Sequence, residues 1–260
     1  MGRCSILNHC AMRPTLTWRK VLGHESGHGA FSTSELVNDA TGFVLHSALL
    51  TPYFSWKSTH RRHHMYANNL DKDQNYVPPS KDTYLSSLTI KVHRLGEYAE
   101  DSPIITLGRI LLQQFCGFPY YLLTNITGAP GSMYKEKSTK FLGNSHFLPS
   151  STLFRPEEGK LILASDFGVG FVVLLLWQWS KIVGLPAVLL LYIQPYVWVN
   201  YWISTITYLH HTHPNAPKYE NDSWTYLKGV TATVDRDFGW LGKYFFHHVT
   251  ETHVLHHMFS

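Results

Sequence analysis

LILASDFGVGFVVLLLWQW (161–179) and LPAVLLLYIQPYVWVNYWISTITYL (185–209) are separated only by SKIVG (180–184). The first run is 19 residues long with a single charge, Asp166, and the second is 25 residues long with none. As a helix, each is long enough to cross a hydrocarbon layer of about 30 Å. The five-residue link predicts that they form an antiparallel transmembrane hairpin, with Pro195 kinking the second arm. The chain before residue 161 and the chain after residue 209 are then on one side of the membrane. Lys135, Lys137, Lys140, Arg155 and Lys160 precede the hairpin and Lys218 and Lys228 follow it, whereas Lys181 alone occupies the opposite turn. That bias predicts a cytosolic placement for both ends.

Outward from the hairpin, the 260-residue chain is 44% apolar but only 15% charged. Soluble domains carry about a quarter charged residues. Eight Trp, 15 Tyr and 14 Phe supply ample apolar surface and exclude a disordered chain. A net charge of +4 without basic stripes excludes a nucleic-acid binder. Cys4, Cys10 and Cys116 form no CxxC pair, which argues against a disulfide framework or a zinc ribbon and fits a reducing compartment. No apolar run precedes Trp18, so no cleaved signal peptide is expected. Residues 40–56 carry no charge, and residues 103–126 include Arg109, Gln113 and Gln114. In the latter, Ile104, Leu107, Leu111, Phe115, Phe118 and Leu122 recur every three or four positions, the pattern of an amphipathic helix lying in the interface. Residues 215–222 read as a turn, and residues 240–257 as one helix.

Histidine is the outlier, with 17 copies. His24 and His28 form HxxxH; His60, His63 and His64 form HxxHH; His253, His256 and His257 repeat HxxHH. Two copies of HxxHH exceed what that histidine content produces by accident. Positions i, i+3 and i+4 share a helical face, so each cluster can aim two or three imidazoles at one point. Neutral imidazole ligates iron, zinc or copper. Eight such nitrogens exceed one tetrahedral zinc and suit two metals at higher coordination. His210, His211 and His213 end the second arm, and His211 is the candidate ligand among them. His9, His46, His93 and His146 stand alone and read as surface or packing residues, and His247 and His248 as packing residues or outer partners of the third cluster. The nearby acids are Glu25, Asp71, Asp73 and Glu251. Glu25-Ser-Gly-His28 is the single Glu-x-x-His, where a ferritin-like carboxylate site takes two, and HESGH (24–28) has the HExxH spacing without a protease-like third ligand, so both of those sites are disfavoured. The clusters can share metals only on one membrane face. Residues 40–56 and 103–126 must therefore be interfacial, re-entrant, or cross an even number of times.

HESGHGAF (24–31), HRRHHMYANN (60–69), YLHHTHP (208–214), ATVDRDFGW (232–240) and ETHVLHHMFS (251–260) resemble the membrane fatty acid desaturase family, in particular its fungal delta-12 (oleate) branch. The resemblance runs from Thr17 onward. It implies an all-α integral membrane protein: a transmembrane helical hairpin (161–209), interfacial helices, and a cytosolic His-rich cap formed by residues 24–102 and 210–260. Residues 1–16 would be an irregular N-terminus and 17–260 the desaturase domain. It further implies a multi-pass protein of the endoplasmic reticulum with its active site facing the cytosol. Two non-haem irons would be held by His24, His28, His60, His63, His64, His253, His256 and His257, with His211 matching a further family histidine and no catalytic residues beyond these ligands. Molecular oxygen would be the co-substrate, cytochrome b5 and its reductase the electron source, and an acyl-phospholipid or acyl-CoA the substrate. Trp198, Tyr201, Trp202 and Tyr208 fit a lining of the acyl tunnel and, equally well, packing within the membrane. The same scaffold fits hydroxylation, epoxidation, conjugation or desaturation at another carbon, or an inactive truncated homologue. Three departures stand out. The family places a hairpin before its first box, yet only 23 residues precede His24; it continues past the third box, yet the sequence stops at Ser260; and it usually carries Cys where Ser26 stands. Truncation at both ends is the expectation.

Overall fold

A computed structural model describes residues 20–77 and 102–260. Among these, all regular structure is helical apart from an isolated parallel bridge between Asn69 and Tyr219. His9, His93 and the remainder of the 24–102 segment lie outside the described residues.

Residues 20–27 form α1. Then α2 (Glu35–Ser47) and α3 (Tyr53–Tyr66) follow as a pair. Ser34 caps α2 by accepting the Val37 N–H, and Glu35 in the first turn suits the positive end of the helix dipole. The uncharged run 40–56 is not one helix. Leu50 takes a left-handed conformation (φ 51°), the Thr51 N–H returns to the His46 carbonyl, and Pro52 opens α3. The chain thus turns a corner inside the apolar run. The corner is tight because glycines face it. A Cβ on Gly42 would lie 2.2 Å from the Tyr53 ring, and one on Gly168 would strike Ser47 and Phe43.

The next helix, α4 (Pro103–Thr124), ends on Asn125 in the left-handed region (φ 47°). Its amphipathic stripe divides in two: Phe118 and Leu122 are buried, whereas Ile104 and Leu107 are exposed. Its main partner is the second arm of the hairpin, where Gln114 accepts from the Thr205 hydroxyl at 2.8 Å.

The first arm is α5 (Gly159–Val183). With the preceding turn it forms a 28-residue helix, Pro156–Val183, and among the described residues this is the one helix long and apolar enough to cross a membrane. Gly184 (φ +86°) ends α5. The second arm is interrupted, not merely kinked. It runs as α6 (Leu185–Val188), a π-helical turn (Leu189–Ile193) and α7 (Gln194–His211). Pro195 explains the wide turn: its ring crowds the carbonyl one α-turn back, and the Gln194 N–H instead reaches Leu189, five residues back. The two arms keep different company, α5 packing on α2 and α3 and α7 on α4.

After α8 (Tyr226–Thr231) come α9 (Trp240–Phe245) and α10 (His253–Phe259). The single helix expected over 240–257 is therefore broken. His247 (φ 51°) and His248 (φ 64°) are left-handed, and Phe246 drops into a ring cluster with Trp202 and Phe238. The break turns α10 back onto α8, where the Tyr226 hydroxyl donates to the carbonyls of His257 and Met258.

Candidate metal centre

The turned corner brings α1 and α3 together, and the broken C-terminal helix lays α10 across them. His24, His28, His60, His64 and His256 then offer one nitrogen each, all within 4.8 Å of one another, and His63, His211 and His257 form a second such group. His253 joins the second group, its Nε2 lying 3.1 Å from that of His211. Within the groups, Nε2–Nε2 separations are 2.8 Å for His24–His60, 3.4 Å for His24–His28, 3.2 Å for His60–His64 and 3.3 Å for His63–His211. Nitrogens about 2.0–2.1 Å from a common ion stand about 2.9–3.4 Å apart along the edges of its coordination polyhedron. The observed spacings match those edges.

The protonation states also suit ligation. Burial first, then the mutual repulsion of neighbouring imidazoles, holds His24, His60, His64, His211, His253 and His257 well below the ordinary histidine range. His28 and His256 are lowered as well, again by burial first. Neutral rings with a free lone pair result, the form a metal takes. Nδ1 of His60, His64, His211, His253 and His257 and Nε2 of His256 are buried with no hydrogen-bond partner. Each unpaired buried polar atom costs about 1–3 kcal/mol; a cation held by Nε2 atoms would relieve this at His256 Nε2, while the Nδ1 atoms of the other rings stay without a partner.

Carboxylates orient two of the rings. Asp73, fully buried, accepts from His63 Nδ1 at 2.8 Å and from the backbone N–H groups of Asn68, Asn75 and Tyr76. His63 is thereby fixed with its proton on Nδ1 and its Nε2 lone pair aimed at the second group. Glu25 holds His24 Nδ1 at 3.0 Å. The sequence marks Asp73 only as one nearby acid among four. Its role comes from the 67–76 loop, which no spacing rule reads. Trp56 backs the first group, stacked on His60 with centroids 4.5 Å apart. Ser26 donates to the Leu22 carbonyl inside α1, a local bond that leaves the cluster untouched.

The other histidines separate clearly. His46 and His146 are buried packing residues, bonded to the Gly42 and Leu122 carbonyls respectively. His210 donates to the Val234 carbonyl, and His213 accepts from the Asn215 N–H outside both groups. His247 and His248 are exposed, so the expectation that they pack beside the third cluster is overturned.

A cavity of about 220 Å³ opens from the histidines toward α4 and α7. Its walls are mostly apolar, with Trp56, Phe118, Ile203, Ile206 and Val249 beside Tyr76, Gln113 and Thr207. Of the two readings of Trp198, Tyr201, Trp202 and Tyr208, packing fits their contacts better than cavity lining. None of these faces the cavity: Trp198 and Tyr201 pack on Phe115, Trp202 packs on Phe246, and Tyr208 is exposed. The opposite face of α7, Ile203, Ser204, Ile206, Thr207 and His211, lines it instead.

A sequence model described as fatty acid desaturase matches residues 5–260. The chain belongs to the fatty acid desaturase family. Family relatives carry different activities in their names. The delta(12) fatty acid desaturase DES8.11 of Calendula officinalis is 43% identical over 248 residues, covering 94% of this chain and 60% of that protein. The oleate hydroxylase FAH12 of Claviceps purpurea is 39% identical over 247 residues, covering 92% and 52%. The delta(12) acyl-lipid conjugase (11E,13E-forming) of Impatiens balsamina is 40% identical over 240 residues, covering 92% and 58%. The chain spans about half to three-fifths of the length of these desaturase-family relatives.

Proposed function

We propose that this desaturase-family chain introduces a cis double bond at the delta-12 position of oleoyl chains, forming linoleoyl chains with O2 as co-substrate. The observation that carries the reading is the pairing of two convergent histidine groups with an apolar cavity that ends on them. His24, His28, His60, His64 and His256 would hold one iron, and His63, His211, His253 and His257 the other. When bound, an iron pair supplies the oxygen-activating chemistry that an unreactive C–H bond demands. The protein's own part is positional. Asp73 and Glu25 orient His63 and His24, and Trp56, Phe118 and Ile203 exclude water and confine the chain. The tight spacing of α2 against α3 and α5 holds the first two clusters in register. In this reading residues 161–209 form a membrane hairpin of the endoplasmic reticulum, the histidine cap faces the cytosol, cytochrome b5 and its reductase deliver electrons, and the acyl group arrives on a phospholipid or on coenzyme A.

A second reading, hydroxylation or conjugation at the same carbons, is favoured by the names of the oleate hydroxylase and conjugase relatives. Expression in a yeast that makes oleate but no linoleate separates the two, with fatty acid methyl esters analysed by gas chromatography–mass spectrometry. An 18:2 product with double bonds at carbons 9 and 12 is expected. A hydroxylated or conjugated product moves the chain to the second reading. No new product, with the protein present in the membrane, overturns both for this chain.

A further inference from the structure

Trp56 touches two members of the first histidine group: its ring stacks on His60, with centroids 4.5 Å apart, and lies 5.6 Å from His24. The row of rings continues away from the cluster. Trp56 meets His46 at 4.4 Å, and His46 meets Tyr53 at 5.2 Å. Each step is an aromatic contact. The Tyr53 hydroxyl then donates to Asp39 Oδ1 at 2.9 Å, and the Lys57 ammonium donates to the same oxygen at 2.5 Å. Trp56, His46 and Tyr53 are buried, whereas the Asp39 and Lys57 side chains are 24% and 27% exposed. The row therefore runs from the histidines to a carboxylate at the surface. A glycine seats each ring. A Cβ on Gly27 would lie 2.7 Å from Trp56, one on Gly23 2.8 Å from His46, and one on Gly42 2.2 Å from Tyr53. Rings packed this closely keep one arrangement.

The order of the rings matters chemically. Indole and phenol surrender one electron and can be restored, whereas neutral imidazole is harder to oxidise and serves as a bridge. Burial holds the His46 pKa well below the ordinary range, so the bridge is neutral. Burial first, then Asp39, pushes the Tyr53 pKa up, so the phenol is protonated at rest. A phenol that loses an electron becomes a strong acid, and Asp39 Oδ1 is already placed to take its proton. Positive charge on Trp56 is opposed by the Lys20 head group, 4.8 Å from the ring centroid, to the extent that it is protonated. Tyr53 is therefore the end of the row. Tyr76 makes the contrast: 6.2 Å from His211, it shares its hydroxyl hydrogen bond with Thr212, which is no base.

We propose that Trp56 and Tyr53 form an electron relay that protects the histidine centre when oxygen is reduced there with no acyl chain to oxidise. The proposal rests on the iron-pair reading of the cluster. Reduction of O2 to two waters takes four electrons and four protons, and in desaturation the acyl C–H bonds supply two of each. With no chain present, the relay supplies the two missing electrons one at a time. Trp56 gives one electron to the oxidised centre, Tyr53 refills Trp56, and the Tyr53 proton moves to Asp39. A soluble one-electron reductant such as ascorbate then returns an electron to Tyr53, and Asp39 returns the proton. The two protons that the C–H bonds would have supplied come from solvent, to which ascorbate releases its own.

The test uses the iron-loaded full chain in detergent, reduced with dithionite, desalted anaerobically, and mixed with oxygen in the absence of lipid substrate. Samples frozen at intervals are read by electron paramagnetic resonance, and the protein is then digested and its oxidised residues mapped by mass spectrometry. A tyrosyl signal is expected in the wild type, narrowed when the protein is grown on ring-deuterated tyrosine and quenched by ascorbate. Tyr53→Phe should abolish it and move oxidation to Trp56. Trp56→Phe should also abolish it and move oxidation to His24 and His60. Asp39→Asn, which keeps the shape but not the base, should slow its appearance. Iron content and thermal midpoint, measured on every variant, identify any that fails to fold, and the isotope and ascorbate results on the wild type stand without variants. Irons oxidised by O2 with no tyrosyl signal, or a signal that survives Tyr53→Phe, overturn the proposal and leave the metal centre standing. Slower reduction of the irons by dithionite in Tyr53→Phe and Trp56→Phe, with no radical in the wild type, overturns it in favour of an inlet for electrons. A chain that binds no iron, or whose irons ignore oxygen, sinks the iron-pair reading, and the relay falls with it.

Discussion

Asp73 shows what a single residue contributes beyond the ligands. Its carboxylate accepts from His63 Nδ1 and from three backbone N–H groups, with no solvent to replace any of them. Asp73→Asn keeps the shape but exchanges one oxygen for a donor, which opposes either the ring or the loop. Loss of an outer-shell carboxylate costs about 10–100-fold in metal affinity, so iron in the purified variant should fall from two toward one per chain. Glu25→Gln, at a partly exposed pair, should retain two. Equal iron content in the two variants would sink this ranking. His247 and His248 make the contrasting case. Both hold left-handed backbone and face outward. Replacing either with glycine relieves strain of about 1–3 kcal/mol, so the thermal midpoint should hold or rise with iron content unchanged. A drop in iron would restore the sequence-based expectation that they support the cluster. That His24, His28, His60, His63, His64, His253, His256 and His257 could converge was legible because helical spacing puts i, i+3 and i+4 on one face, whereas His211 rested on the family resemblance and on its place at the end of the second run. Asp73 was not, because the loop that brings it under His63 has no periodicity to read.

Among the elements, α2 is the keystone. It is wedged between α3 and α5, and the wedge closes only because Gly42 and Gly168 lack side chains. Small residues at helix contacts let backbones approach in the same way throughout membrane bundles. The Tyr53 ring over Gly42 cannot easily retreat, since its hydroxyl is bonded to Asp39 at 2.9 Å. Gly42→Ala should therefore cost about 1–3 kcal/mol by overpacking and lower the thermal midpoint measured in detergent. Gly170→Ala on α5, where an added Cβ meets nothing within 4 Å, is the matched control and should be silent. Equal midpoints for the two variants would show that the wedge yields. Composition and run length identified the helices of this region, but not where they break. The corner at Leu50, the π turn before Pro195 and the left-handed pair at His247 and His248 all interrupt runs whose hydropathy is continuous. Periodicity reports which residues are apolar, and backbone reversals inside an apolar run leave that count unchanged. Which face of α7 lines the cavity was not legible for a related reason. Aromatic residues there fill the contact with α4 and the C-terminal segment, leaving the smaller Ser204 and Thr207 to border open space.

At the scale of the whole molecule, the histidine cluster ties α1, near one end of the sequence, to α10 at the other. Tags placed before His24 and after Ser260 should accordingly be accessible from the same side of the membrane, in the cytosol; opposite accessibility in protease protection would break the shared-metal geometry. The same convergence predicts how the protein responds to acid. His24, His28, His60, His64, His253, His256 and His257 all have pKa values lowered in the folded state, burial being the largest cause in every case. In the unfolded chain they return to about 6.5. Below that pH the unfolded state binds more protons than the folded one, so stability rises with pH there and falls as pH drops. Each such group contributes a slope of at most about 1.4 kcal/mol per pH unit. The sum over several groups is large against a marginal stability of about 5–15 kcal/mol. The metal-free protein should therefore show a thermal midpoint that is nearly flat above pH 7.5 and falls steeply between pH 6.5 and 5. With iron bound, protons must also displace the metal, so the fall should begin at lower pH and coincide with iron release. A midpoint that stays level from pH 7 to 5 in the metal-free protein would mean that these rings are solvated, and the buried cluster would then have to be abandoned.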